Sequence, residues 1–190
     1  MFIERNIADQ ICQGARQSPV IAVIGPRQSG KSTLIKQLFS SYRYIDMQDV
    51  EHMDFANNDP RGFLQAYTDK EGLIIDEAQY APALFGQIKV FVDQNPRPGF
   101  FVLSGSQNFL LHEKITESLA GRVYFYTLLP LSSQELQKAD HWHTRIEEQL
   151  TLGFYPRVYA PHINAQEYYK NYISTYVERD IRSMRNIENI

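Results

Sequence analysis

The chain has a single cysteine, Cys12. One thiol excludes a disulfide framework and a cysteine-based zinc site, and it fits a reducing compartment. No apolar run is long enough to span a bilayer, so no membrane partner is expected. Met1-Phe2-Ile3-Glu4-Arg5 lacks the cationic-then-apolar layout of a secretion signal, and cytoplasmic residence is the expectation. Basic residues are not in excess: 19 Lys and Arg stand against 22 Asp and Glu, for a formal net charge of −3. Net charge therefore gives DNA no support as a partner, although it does not exclude a local basic patch. His141-Trp142-His143 lacks a third ligand at metal-site spacing and reads as a surface turn. There is no internal repeat and no low-complexity tract. What is there is a globular composition, 43% hydrophobic over 190 residues. That is enough for one α/β domain with a proper core and a smaller helical appendage.

The densest signal is Gly25-Pro26-Arg27-Gln28-Ser29-Gly30-Lys31-Ser32, which satisfies G-x-x-x-x-G-K-[ST] at every fixed position. Val20 to Val23, extended by Ile24, reads as a buried strand before it, and Thr33 to Phe39 reads as a helix after it. A strand delivers such a loop, and a helix N-terminus receives the phosphates. Gly25 and Gly30 let the backbone curl around phosphate oxygens with no side chain in the way. Lys31 is the mobile cation for the β and γ phosphates, and Ser32 offers a hydroxyl to Mg²⁺. Thr33 supports the helix start. Arg27 either braces a carboxylate or faces solvent. ATP or ADP with Mg²⁺ is the expected ligand, bound by Gly25, Pro26, Arg27, Gln28, Ser29, Gly30, Lys31, Ser32 and Thr33.

Leu73-Ile74-Ile75 is an apolar run closed by Asp76-Glu77, the pattern of an interior parallel strand with carboxylates at its C-terminal end. Asp76 is the candidate metal residue alongside Ser32, acting through water. Glu77 is the candidate to orient or deprotonate the attacking water. Phe100 to Leu103 forms another buried run, ending in Ser104-Gly105-Ser106-Gln107-Asn108. Ser104 is the candidate to touch the γ phosphate or the water; Ser106 reads as the weaker alternative or as a cap for a helix from Phe109 to Leu119. Arg122 follows Gly121, which looks like a helix C-cap. Its guanidinium is a catalytic candidate for the charge on the transferring phosphoryl group, in its own chain or in a neighbour's. The alternative is a surface arginine that opens the next strand. Lys31, Glu77, Arg122 and Ser104 are thus the catalytic set.

Elsewhere the periodicity predicts a helix from Ile3 to Ala15 with Ile3, Ile7 and Ile11 on one face. A short strand from Tyr42 ends at Asp46, which lies near the active edge or caps a turn. Val50 to Thr68 reads as helix, broken where Asp59 caps and Pro60 restarts it. A turn at Lys70-Glu71-Gly72 precedes the acidic strand. Ala81-Pro82 opens another helix, and Val123 to Leu128 is the last strand. The fold class is therefore α/β: a five-stranded, mostly parallel sheet flanked by helices, followed by a small helical region. Ser132-x-x-Glu135 reads as a capping box near the domain boundary, and Asn164-x-x-Glu167 starts a long final helix. On that helix Tyr169, Tyr172, Ile173, Tyr176, Val177, Ile181 and Met184 form a stripe, read as core or interface packing. Arg179, Arg182 and Arg185 lie mostly off it and, with the tyrosines, offer the alternative of a nucleic-acid surface.

These pieces together resemble the AAA-like P-loop ATPases whose ATPase domain precedes a domain of unknown function, the AAA_14/DUF4143 family. The resemblance rests on the phosphate loop, Leu73 to Gln79, Leu103 to Ser106, Leu119 to Arg122, Leu129 to Ser132, Gly153 to Pro156 and Tyr172 to Arg182. It implies that Lys31, Ser32, Asp76 and Glu77 carry nucleotide binding and hydrolysis, that Arg122 is a finger or sensor arginine, and that Gln79 helps place the water. Members continue well past the point reached here. Residues 1–135 are thus expected to be the P-loop ATPase domain, and 136–190 a helical extension that begins a longer C-terminal region. The expected function is Mg-dependent hydrolysis of ATP to ADP and phosphate, driving a conformational switch of unknown output, with a homo-oligomer as one possible setting and Arg122 acting in cis or in trans. The alternative is a nucleotide-gated interaction or DNA-associated module with little turnover of its own. A small-molecule kinase is disfavoured because no acceptor pocket is legible, and no guanine-reading motif is present.

Overall fold

The computed structural model describes residues 2–68, 71–106 and 109–177. Lys70, Gln107, Asn108, Arg179, Ile181, Arg182, Met184 and Arg185 lie outside the described residues. The described residues divide into two compact units: one lies within Arg5–Pro26 and Gly30–Leu129, the other within residues 2–4, Arg27–Ser29 and residues 130–177.

The larger unit is built in chain order from α1 (Ala8–Ala15), β1 (Val20–Gly25), α2 (Lys31–Leu38), β2 (Arg43–Asp46), α3 (Val50–Asn58), α4 (Pro60–Tyr67), β3 (Leu73–Asp76), α5 (Ala83–Gln94), β4 (Phe101–Ser106), α6 (Phe109–Leu119) and β5 (Val123–Thr127). The five strands form one sheet in the order β2-β3-β4-β1-β5, and every pairing is parallel. Chain order therefore leaves β1 for one edge of the sheet and later returns past it to β5. Such a reversal opens a crevice at the carboxyl ends of the strands beside β1.

Strand alternation sends residues to two covered faces, which is why the strands read as continuous apolar runs. Ile21, Val23, Ile74 and Val102 pack against Ile11 of α1 and Leu34, Ile35 and Phe39 from α2 and its end. Val20, Ala22, Leu73, Ile75, Phe101 and Leu103 pack on the other face with Phe63, Leu84, Phe85, Ile88 and Leu119. Asp59 caps α4 through Gly62 N, with Pro60 in its first turn. Asp49 caps α3 in the same way through Glu51 and His52.

One expectation fails at the N-terminus. The helix starts at Ala8, not near Ile3. Ile11 and Ile7 join the sheet-facing core of the larger unit, whereas Ile3 packs with Leu131 and Leu136 of the other unit. Spacing alone does not separate an extended segment from a helical turn when each brings an isoleucine into an apolar cluster.

The second unit contains α7 (Ser133–Lys138), α8 (Ile146–Leu152) and α9 (Ala165–Tyr172), with a π-helical turn over Ile173–Val177. Ser132 and Glu135 form a full capping box on α7, and Asn164 caps α9 by accepting from Glu167 N. The buried Gln149 amide donates to Gly153 O (3.1 Å) and to the Tyr159 hydroxyl (2.7 Å). Ile173, expected on the tyrosine stripe, is exposed.

Candidate nucleotide site

The end of β1 turns directly into the loop. At Gly25 a Cβ would lie 2.2 Å from the carbonyl oxygen of Leu128, so any side chain collides with backbone. Gly30 has φ 97°, a left-handed conformation that suits glycine. Gln28 holds φ 61° without being glycine. Lys31 opens α2 and is buried, and its ammonium folds back to donate to the carbonyls of Gly25 (3.1 Å) and Pro26 (2.9 Å). A phosphate oxygen is a stronger partner than a neutral carbonyl, because the bond then joins opposite charges. Ser32 is half-buried on the first turn of α2, and Thr33 is exposed.

The loop tip, Arg27 to Ser29, belongs to the second unit, and there it meets the tyrosines. The Tyr168 hydroxyl donates to Gln28 Oε1 (2.9 Å), and Gln28 Nε2 donates to the Tyr176 hydroxyl (3.1 Å). Tyr172 donates to Arg27 O at 3.3 Å, and the Arg27 guanidinium lies 5.4 Å above the Tyr176 ring. Arg27 thus stacks on an aromatic ring, and Tyr172 and Tyr176 of the expected stripe meet the loop, whereas Ile173 of the same stripe is exposed. Burial raises the Tyr168 hydroxyl pKa above its ordinary range, with neighbouring tyrosines adding to the effect.

Asp76 ends β3 on the sheet face that carries α2, two residues beyond Ile74. Its carboxylate is buried and heavily hydrogen-bonded. Tyr44 of β2 donates to Oδ2 at 2.6 Å, Glu77 N donates to Oδ1 at 3.1 Å, and Ser104 Oγ also donates to Oδ1. The parallel register explains the meeting: Ile75 pairs with Leu103, so Asp76 at the end of β3 lies beside Ser104 within β4, and Ser104 pairs with Val23 of β1. Asp76 therefore lies two strand spacings from β1, about 10 Å. The hydroxyl of Ser104 serves the Asp76 carboxylate, where the sequence reading gave it to phosphate or water.

Glu77 adopts φ 52°, ψ 45°, uncommon for a non-glycine residue, and opens a 3-10 turn over Ala78–Tyr80. Its carboxylate accepts from Gln79 Nε2. Gln79 Oε1 is buried and, among the described residues, has no hydrogen-bond partner. Asp46, read as near the active edge or a turn cap, does the latter, accepting from Gln48 N at 2.9 Å.

Arg122 is not brought to this group within its own chain. Its carbonyl accepts from Val20 N (3.1 Å), so it stands at the N-terminal end of β5, beside the start of β1. The loop begins at the other end of β1, about 16 Å away at about 3.3 Å per residue. Its guanidinium is held by Asp93 of α5, with Nη2 at 2.9 Å. That hydrogen bond raises the Arg122 pKa and lowers that of Asp93. Gly121 has φ 73° beyond α6, as a C-terminal stop requires.

Among the described residues no three His, Cys, Asp or Glu side chains gather into a metal cage. One carboxylate and one hydroxyl suit Mg²⁺, which completes its shell with water and substrate phosphates rather than with protein alone. Ser32 and Asp76 would hold such an ion. Among the described residues no helix is long and apolar enough to cross a membrane. Sequence reasoning missed Tyr44, whose signal is weak: an aromatic on a short edge strand whose end pairs with Asp76.

Comparison with known proteins agrees with this fold. The profile of the AAA domain family matches residues 17–137, more than half of the chain. An uncharacterized protein of Mycobacterium tuberculosis, Rv2008c, is 30% identical over 187 residues, and so is its Mycobacterium bovis counterpart Mb2031c. The match covers 97% of this chain but only 41% of those relatives. Among solved structures, the Walker-type ATPase PABY2304 of Pyrococcus abyssi aligns with TM-score 0.58 and 16% identity, over 98% of this chain and 76% of that one. AMPPCP-bound DnaA from Aquifex aeolicus aligns with TM-score 0.51 and 15% identity, over 97% of this chain and 68% of that one. At such identities these structures speak for the fold alone. The chain belongs to the AAA domain family and has the fold of a P-loop NTPase.

Proposed function

We propose that the chain binds ATP together with Mg²⁺ and hydrolyses it to ADP and phosphate. The observation that carries this reading is the placement of Asp76 and Glu77 at the carboxyl end of β3, two strands from the loop that leaves β1. Lys31 would exchange its two backbone carbonyls for β and γ phosphate oxygens. Bound Mg²⁺ would neutralise charge on those oxygens. Glu77 would take a proton from the attacking water while the bond from the γ phosphorus to the bridging oxygen breaks. The buried Gln79 Oε1 offers a second acceptor to the same water. Residues 1–135 would form the ATPase domain, with 136–190 as a helical extension that couples it to an output.

Phosphate release by the purified chain tests this. Turnover is expected with Mg²⁺ and ATP and none in EDTA; absence of both release and nucleotide uptake overturns the reading. A DNA arm in the same assay asks whether nucleic acid accelerates turnover.

Arg122 fits this reading only if another copy supplies it. In a homo-oligomer it would leave Asp93 and approach the γ phosphate of a neighbour. Arg122→Ala is then expected to lower turnover about 10³-fold with nucleotide affinity kept. Mixing it with Lys31→Ala, which keeps the arginine, should recover activity that neither variant has alone. Wild-type turnover by Arg122→Ala would return the residue to a surface pair with Asp93.

A further inference from the structure

We infer that Tyr44 is a positioning residue for magnesium, acting through Asp76. The inference rests on the reading of the site as one for a magnesium nucleotide. A carboxylate that holds a hydrated ion must present a defined lone pair, and an ionised carboxylate has about four such positions. Three donors already occupy Asp76: Ser104 Oγ and Glu77 N on Oδ1, and Tyr44 on Oδ2 at 2.6 Å. About one position is left, and the three donors decide which way it faces.

Two of these donors come with β3 and its central neighbour β4. Tyr44 is different, because it reaches in from the edge strand β2. It is also the donor on Oδ2, so it sets the rotation of the carboxylate about its last bond. Its ring is braced by Lys36 of α2, whose ammonium lies 3.6 Å from the ring centroid. The hydroxyl is the donor in this pair, since a carboxylate oxygen can only accept. α2 begins at Lys31, so one helix carries both the phosphate lysine and the brace on the tyrosine. Tyr44 acts on the ion's ligand and touches neither nucleotide nor ion.

Tyr44→Phe keeps the ring and the Lys36 contact and removes one oxygen. ADP binding by calorimetry, in Mg²⁺ and in EDTA, separates the two effects. In wild type, affinity should be higher with Mg²⁺. In Tyr44→Phe the EDTA affinity should stay within about twofold, while the gain due to Mg²⁺ should shrink about tenfold, the size of one charge-assisted hydrogen bond. An unchanged gain overturns the inference and leaves the nucleotide reading intact. Equal loss in both conditions also overturns it, by making Tyr44 a general support for the sheet edge. A wild-type chain that binds ADP with no gain from Mg²⁺ removes the inference together with the magnesium reading on which it rests. The double variant closes the test. In an Asp76→Asn background Tyr44→Phe should add no further loss, because the group it positions is gone. Additive losses there would show that Tyr44 does not work through Asp76.

Discussion

Lys31→Ala is expected to abolish measurable ATP and ADP binding at micromolar concentrations. Lys31 is the only basic residue that the phosphate-loop motif places against the β and γ phosphates. In the structure its ammonium already turns inward, onto the carbonyls of Gly25 and Pro26. With nucleotide bound, it would make two or three hydrogen bonds to charged oxygens, each contributing about 1.5–3 kcal/mol. Losing even about 3 kcal/mol lowers affinity more than a hundredfold. Alanine is a good helix former, and Lys31 is the first residue of α2, so the fold should survive. Calorimetric titration with ADP, beside a thermal melt, checks the prediction. Native affinity in a folded variant would show that the loop does not hold phosphates.

Glu77→Gln should behave in the opposite way, keeping the nucleotide and stalling on it. Glutamine preserves the shape of the side chain and an oxygen for the Gln79 amide, and it loses the basic carboxylate. General-base assistance is worth about 10²–10⁴ in rate. Turnover should therefore fall about a hundredfold or more while ATP affinity stays within a few-fold. Single-turnover phosphate release, with binding measured in parallel, separates the two quantities. Hydrolysis at the native rate would remove Glu77 from its role and shift attention to another base. The backbone at Glu77 sharpens the case. A non-glycine residue at φ 52° is held there by its surroundings, and such residues cluster where a side chain must be aimed.

Much of the fold was legible in local chemistry. The apolar runs at Val20, Leu73 and Phe101 could be read as strands because both sheet faces are covered, leaving no polar alternation to confuse them. Pro60, Gly121 and the Ser132–Glu135 pair mark helix ends by backbone rules that act over a few residues. The N-terminal helix was read too long because Ile3 is apolar for a reason outside its own segment, its packing with Leu131 and Leu136. The tyrosines from Tyr169 to Tyr176 were legible as a stripe, while the hydrogen bonds of Tyr168 and Tyr176 to Gln28 were not, since 140 and 148 residues of chain separate the partners.

By itself, the sequence determined which residues can do phosphate chemistry: a loop that only glycines can turn, a lysine after it, and two acids closing an apolar strand. These are short-range facts of sterics and charge, written in consecutive residues. Strand order was decided by tertiary structure alone. It set Ser104 and Tyr44 on the Asp76 carboxylate. The reason is that hydrogen-bond register and the burial of two faces are properties of all five strands at once, and no segment carries them alone.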